Sequence, residues 1–212
     1  MQPKLSDKDL NFFKAELCQF STKTYDRGLC GQFTGLLSVR LPHGDLVLVT
    51  PAGASLAEIG PEKLILLDLE ENIIEKPAGV IVPADTPYVI NSYKKRRDVF
   101  AIGHFHPPFA TAYSITSSGI PLITAHSRRT LKEILRVKCQ TCPSRFEGLC
   151  ACIEGQRKSY AGVNVLLLED NGIVTLGKNL TEVLSLAGLV EETARIAWLF
   201  SNTSTQTISK PR

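Results

Sequence analysis

The chain has 212 residues, 43% of them hydrophobic, with a formal net charge of +3 and a sequence isoelectric point near 8.5. That length and composition suit one globular domain with a sizeable core and exclude an intrinsically disordered chain. The charge is too mild to point to nucleic acid or an anionic membrane as partner, and no apolar run approaches the roughly 18 residues of a membrane span. Residues 1–9 are polar and lead into no signal-type apolar core, so the expected location is cytoplasmic. The six cysteines are then expected to be reduced and available for packing, metal or redox chemistry.

In chain order, Ser6 is a helix N-cap, and Leu10, Phe13, Leu17 and Phe20 recur at helical spacing, which predicts an amphipathic helix to about residue 23. Residues 27–35 are Gly-rich and loop-like. Residues 36–41 and 46–50 read as a hairpin about Pro42-His43-Gly44-Asp45, with His43 exposed in the turn. Two further strands, 64–69 and 73–75, flank Glu70-Glu71-Asn72, so an antiparallel sheet is expected. Residues 87–96 follow as a helix capped by Asp85 or Thr86, and the run Lys94-Lys95-Arg96-Arg97 reads as its solvated end. Strand 99–104, helix 108–118 and strand 121–124 then alternate. Strands 163–168 and 173–176 bracket the turn Glu169-Asp170-Asn171-Gly172. A last helix spans 180–200. Without internal repeat or linker, residues 1–200 form one domain, and 201–212 read as a flexible Ser/Thr-rich tail.

The chemistry converges on Gly103-His104-Phe105-His106-Pro107-Pro108. In an extended segment residues two apart project to the same side, so His104 and His106 point together. The prolines end the strand and start a helix, leaving the pair at a strand's C-terminal end, where α/β proteins build sites. Two such imidazoles either hold one metal ion or are hydrogen-bonded histidines at a strand end. A second feature is Cys139-Gln140-Thr141-Cys142 followed by Cys150-Ala151-Cys152. Two close thiol pairs suit tetrahedral Zn²⁺ or an iron–sulfur cluster, with a redox-labile disulfide or ordinary thiols as the alternatives. Cys18 and Cys30 read as core residues.

The landmarks Arg27-Gly28-Leu29, Thr34-Gly35-Leu36-Leu37-Ser38-Val39-Arg40, Thr50-Pro51-Ala52-Gly53, Tyr93 to Asp98, the His-x-His stretch and Leu166 to Gly172 occur in one order. In that order the chain resembles the class II aldolase/adducin family over about residues 10–199. The resemblance implies a three-layer α/β/α fold with a largely antiparallel central sheet. It also implies a small-molecule substrate and a homotetramer with sites between neighbouring subunits. In the family's enzyme branch a divalent metal, Zn²⁺, is held by the His-x-His pair and a third histidine in an Asn-His-Gly turn, and a glutamate moves the proton. Carried over, His104 and His106 are the ligands and Asp85 is the catalytic carboxylate, one methylene shorter. Asn171 stands at the third histidine. The family's phosphate-binding asparagine and paired serines fall on Leu36, Pro83 and Ala84, while Thr50 and Gly53 remain as anion contacts, so Thr50, Gly53 and Asn171 are the expected substrate-binding positions. His126, two residues past the predicted strand 121–124, is the candidate replacement for the third ligand. The function expected is a divergent metal-assisted lyase, performing retro-aldol cleavage or decarboxylation of a small hydroxy-carbonyl compound. The alternative is a catalytically silent, adducin-like association module with a structural or redox metal site at its cysteines.

Overall fold

The computed structural model describes residues 6–42, 45–116, 118–138 and 162–203. Its centre is an eight-stranded sheet, β1 (Leu36–Arg40), β2 (Leu46–Val49), β3 (Ile65–Asp68), β4 (Ile73–Glu75), β5 (Ala101–Phe105), β6 (Leu135–Val137), β7 (Val165–Leu168) and β8 (Ile173–Gly177), in the order β4-β3-β2-β1-β5-β8-β7-β6. Every pairing is antiparallel except β6 with β7. Among the described residues the α-helices are α1 (Asp7–Asp26), α2 (Thr86–Lys95), α3 (Pro108–Ile115), α4 (Ala125–Leu131) and α5 (Leu180–Thr203).

Apart from the exposed edge strand β4, the strands are largely apolar because both faces of the sheet are covered. Alternation sends Leu37, Val39, Ala101, Phe105, Val165 and Leu167 to one side, where they pack with Leu17 of α1, Ala110 of α3 and Val183, Ala187 and Val190 of α5. Leu36, Ile102, Leu166, Leu168 and Val174 face the other way, against Tyr88, Val89 and Tyr93 of α2. The result is the expected three-layer α/β/α arrangement. Ser6 caps α1 as its sequence indicates, its Oγ accepting the Asp9 N–H at 3.2 Å.

Three local expectations change. Residues 121–124 are not a strand: the Thr124 hydroxyl accepts the Ser127 N–H at 3.0 Å and so starts α4, because a threonine before a polar run caps a helix better than it extends an isolated three-residue apolar stretch. The strand of this region is β6, beyond α4, which pairs with β7. Arg96 is not solvated. It is 4% exposed and fully engaged, its Nε and Nη2 donating to Asp98 at 2.8 Å each, its Nη1 to the Val163 carbonyl at 2.8 Å and its Nη2 to Asn164 Oδ1 at 3.0 Å. A planar guanidinium satisfied on this many sides is tolerated in a core where an isolated cation is not. The last helix runs on through Thr203, so residues 201–203 are helical rather than frayed.

Candidate functional site

β5 carries the site. It lies between β1 and β8, with Leu36 opposite His104 on one side and Val174 opposite it on the other. His104 is therefore on the α2 face of the sheet, 5% exposed, and His106 follows on the same side just past the strand. Pro107 N-caps α3 but has no side-chain acceptor to offer. The first free N–H groups of α3, those of Phe109 and Ala110, instead donate to the Glu191 carboxylate of α5 at 3.0 and 2.8 Å. This long-range cap, together with the His106 N–H donating to the Leu29 carbonyl at 3.1 Å, fixes the chain on both sides of the second imidazole.

Asp85 reaches the site from the other direction. It begins α2 without capping it, and its Oδ2 lies 2.5 Å from Nδ1 of His104. The third contributor is the turn between β7 and β8. Asn171 presents its backbone carbonyl to Nε2 of His104 at 2.8 Å and its Oδ1 to Nε2 of His106 at 3.2 Å. Gly172 makes this approach feasible: φ is +73°, and a side chain there would overlap the Phe105 carbonyl oxygen and sit 3.2 Å from the His106 Cα. The two imidazole centroids are 4.5 Å apart.

Donor and acceptor arithmetic constrains the protons. A carbonyl oxygen only accepts, so Nε2 of His104 bears hydrogen, and its Nδ1 shares a proton with the Asp85 carboxylate. With Oδ1 of Asn171 turned to it, His106 likewise donates from Nε2, which leaves its Nδ1 as a buried lone pair without a partner. Burial first, and the neighbouring His104 second, push the His106 imidazole below its ordinary 6.5, against the opposing pull of Asn171 and Asp85. The arrangement can accept and return a proton at Asp85, with His104 backing the carboxylate and burial disfavouring the charged form of His106.

The expected zinc centre is not assembled from these groups. Both Nε2 atoms that would face a cation are taken by Asn171, and among the described residues no three His, Cys, Asp or Glu side chains gather where they could hold a metal ion. His126 does not complete the set. It is exposed in the first turn of α4 and lines a separate cavity of about 900 Å³ with Arg27, Glu133, Asn164, Glu182 and Glu192, because the segment before it is a helix cap rather than a strand of the pocket. Thr50 is also withdrawn: it is fully buried, and its hydroxyl accepts the Leu37 N–H at 3.0 Å, extending the β1–β2 ladder. Gly53 is exposed in a groove with Ser55, Lys63 and Gly79 that includes none of Asp85, His104, His106 or Asn171. Cys139, Cys142, Cys150, Cys152 and His43 lie outside the described residues. The sequence reading missed Glu191, although a signal existed: a helix opening on two prolines with no capping side chain needs an acceptor from elsewhere.

The family described as Class II Aldolase and Adducin N-terminal domain matches residues 15–198. Among relatives, an L-fuculose phosphate aldolase of Methanococcus maripaludis is 29% identical over 84% of this chain and 92% of its own length. A 3-oxo-tetronate 4-phosphate decarboxylase of Haemophilus influenzae is 31% identical over 86% of this chain and 85% of its own. Among solved structures, a putative aldolase/epimerase/decarboxylase from Klebsiella pneumoniae superposes with a TM-score of 0.79 at 25% identity, covering 92% of each chain.

Proposed function

Because the chain belongs to the family of class II aldolases and adducin N-terminal domains, we propose that it is a lyase that breaks a carbon–carbon bond in a small hydroxy-carbonyl compound, by retro-aldol cleavage or decarboxylation. The observation that carries this reading is the Asp85–His104 pair, a carboxylate 13% exposed at its side chain held 2.5 Å from a buried imidazole. An association surface has no use for such a pair. A lyase does: Asp85 accepts the hydroxyl proton from the carbon β to the carbonyl, and the bond between the α and β carbons breaks. Its electron pair passes to the carbonyl oxygen, the β carbon leaves as an aldehyde, and the resulting enolate takes back at carbon the proton held by Asp85. In a decarboxylation the departing group is CO₂, its bonding pair passes to the carbonyl oxygen, and the enolate carbon takes the proton shared by Asp85 and His104.

The substrate we propose is unphosphorylated, unlike those in the names of the relatives. Leu36, 2% exposed and directly across the ladder from His104, offers no hydrogen bond where the family resemblance puts an asparagine. Pro83 has no N–H and Ala84 no hydroxyl, so phosphate oxygens brought here would be stripped of water without replacement donors. The test is release of aldehyde or CO₂ from a panel of short hydroxy-carbonyl acids, aldehydes and ketoses, each with its phosphate ester. Turnover is expected on one or more free compounds and is negligible on the esters. Neither turnover nor thermal stabilisation by any member would overturn the proposal.

A further inference from the structure

We infer that Asn171 takes the place of the cation at this site: the backbone carbonyl and side-chain amide of one residue tie His104 and His106 together by hydrogen bonds, and no divalent metal binds between the two imidazoles. The geometry is a continuous chain. It runs from Asp85 through Nδ1 and Nε2 of His104 to the Asn171 main chain, then through the Asn171 amide to Nε2 of His106. A metal at the same place needs a lone pair on each Nε2, and the carbonyl contact requires a hydrogen on that of His104. The third imidazole that would repay losing these bonds is missing, and His126, the remaining histidine among the described residues, is on α4. Asn171 is held in this role by its own backbone. Its N–H donates to the Leu168 carbonyl at 3.0 Å, the preceding Glu169 N–H donates to Val137 at 3.0 Å, and Arg136 pairs with the Glu169 carboxylate at 3.0 Å. Asn171 is thus a positioning residue for both histidines, and a single change to histidine converts a hydrogen-bonded site into a metal site.

The inference builds on the reading of this site as the reacting centre, but its test does not involve activity. Protein exposed to excess zinc and then freed of unbound ion by gel filtration is assayed for zinc per chain. The forms compared are wild type, His104→Ala/His106→Ala, Asn171→His, and the triple variant. Any zinc held by thiols is common to all four and cancels. Wild type and the double variant are expected to hold the same amount. Asn171→His should gain one equivalent, which the triple variant loses. One equivalent more in wild type than in the double variant would overturn the inference, as would an Asn171→His protein with no gain. Should the double variant not fold, imidazole ¹⁵N spectra of wild type decide. Zinc is expected to leave the His104 and His106 nitrogens unmoved, and a zinc-induced shift of either Nε2 overturns the proposal.

Discussion

Asp85 Oδ2 lies 2.5 Å from His104 Nδ1, although Asp85 is also the residue on which α2 begins and makes no capping bond to it. An aspartate at that position ordinarily accepts an N–H of its own helix, a contribution of about 1 kcal/mol. Turning it into the sheet gives up that term and exchanges it for a charge-assisted bond at the site, which is the kind of local sacrifice that marks a working group. Asp85→Asn keeps the shape and removes the proton acceptor. Turnover should fall at least about 100-fold, while the far-ultraviolet circular dichroism is unchanged and stability drops by no more than about 1–3 kcal/mol. Steady-state kinetics beside a urea titration separates the two effects.

Glu191 supplies the cap that Pro107 lacks. Glu191→Ala should destabilise the protein by about 1–2 kcal/mol through two unsatisfied N–H groups at the start of α3, and Glu191→Gln, which keeps one acceptor oxygen, by less. The ordering of the two urea midpoints is the check; equal midpoints for wild type and the alanine variant would refute the cap.

Gly172 permits the turn that carries Asn171 to touch the end of β5. Gly172→Ala combines a disfavoured positive φ with overlap of the Phe105 carbonyl, and relief requires the turn to move away from His106. The expected cost is about 2 kcal/mol or more, with protected amides of residues 104–106 exchanging faster. Hydrogen exchange measures this directly.

Cys30 is buried beneath the strand end, its Sγ 4.0 Å from the His104 carbonyl oxygen. Burial raises its thiol from the ordinary 9.0 to about 12, the His106 backbone opposing this weakly. Between those values an unfolded chain has lost a proton that the native protein keeps. The stabilising contribution is therefore full below pH 9 and is lost as pH rises through the window, with a slope of at most about 1.4 kcal/mol per pH unit. Burial raises Tyr93 as well, so both residues add to the alkaline decline. The specific expectation is a shallower decline for Cys30→Ala than for wild type above pH 9, read from urea midpoints at a series of pH values.

Periodicity and punctuation in the chain were enough to locate most elements, because those signals are local. Ser6 ahead of an apolar 3.6-residue repeat specified α1, the turn residues between 42 and 45 specified the β1–β2 hairpin, and Pro107-Pro108 specified where β5 stops and α3 starts. The same locality misled at 121–124, where an apolar stretch looks like a strand until the Thr124 hydroxyl finds the Ser127 N–H. It misled at Arg96 too, since a run of four cations gives no sign that the third will meet Asp98, Val163 and Asn164 in the interior.

For the site, spacing two apart on a strand was sufficient by itself to put His104 and His106 on one side, and the family resemblance pointed to Asp85 and Asn171 as their companions. What those residues do to one another was decided only by the tertiary structure. Asp85, His104 and Asn171 come from the start of a helix, the end of a strand and a distant turn, and their bonds are separated by 19 and 67 positions in the chain. Hydrogen-bond partners at such range follow from sheet register and from the close approach that Gly172 allows, not from residue type. The sequence could name two histidines able to bind a metal or each other's neighbours. The register of β5 against β8 brought Asn171 within hydrogen-bond distance of both Nε2 atoms.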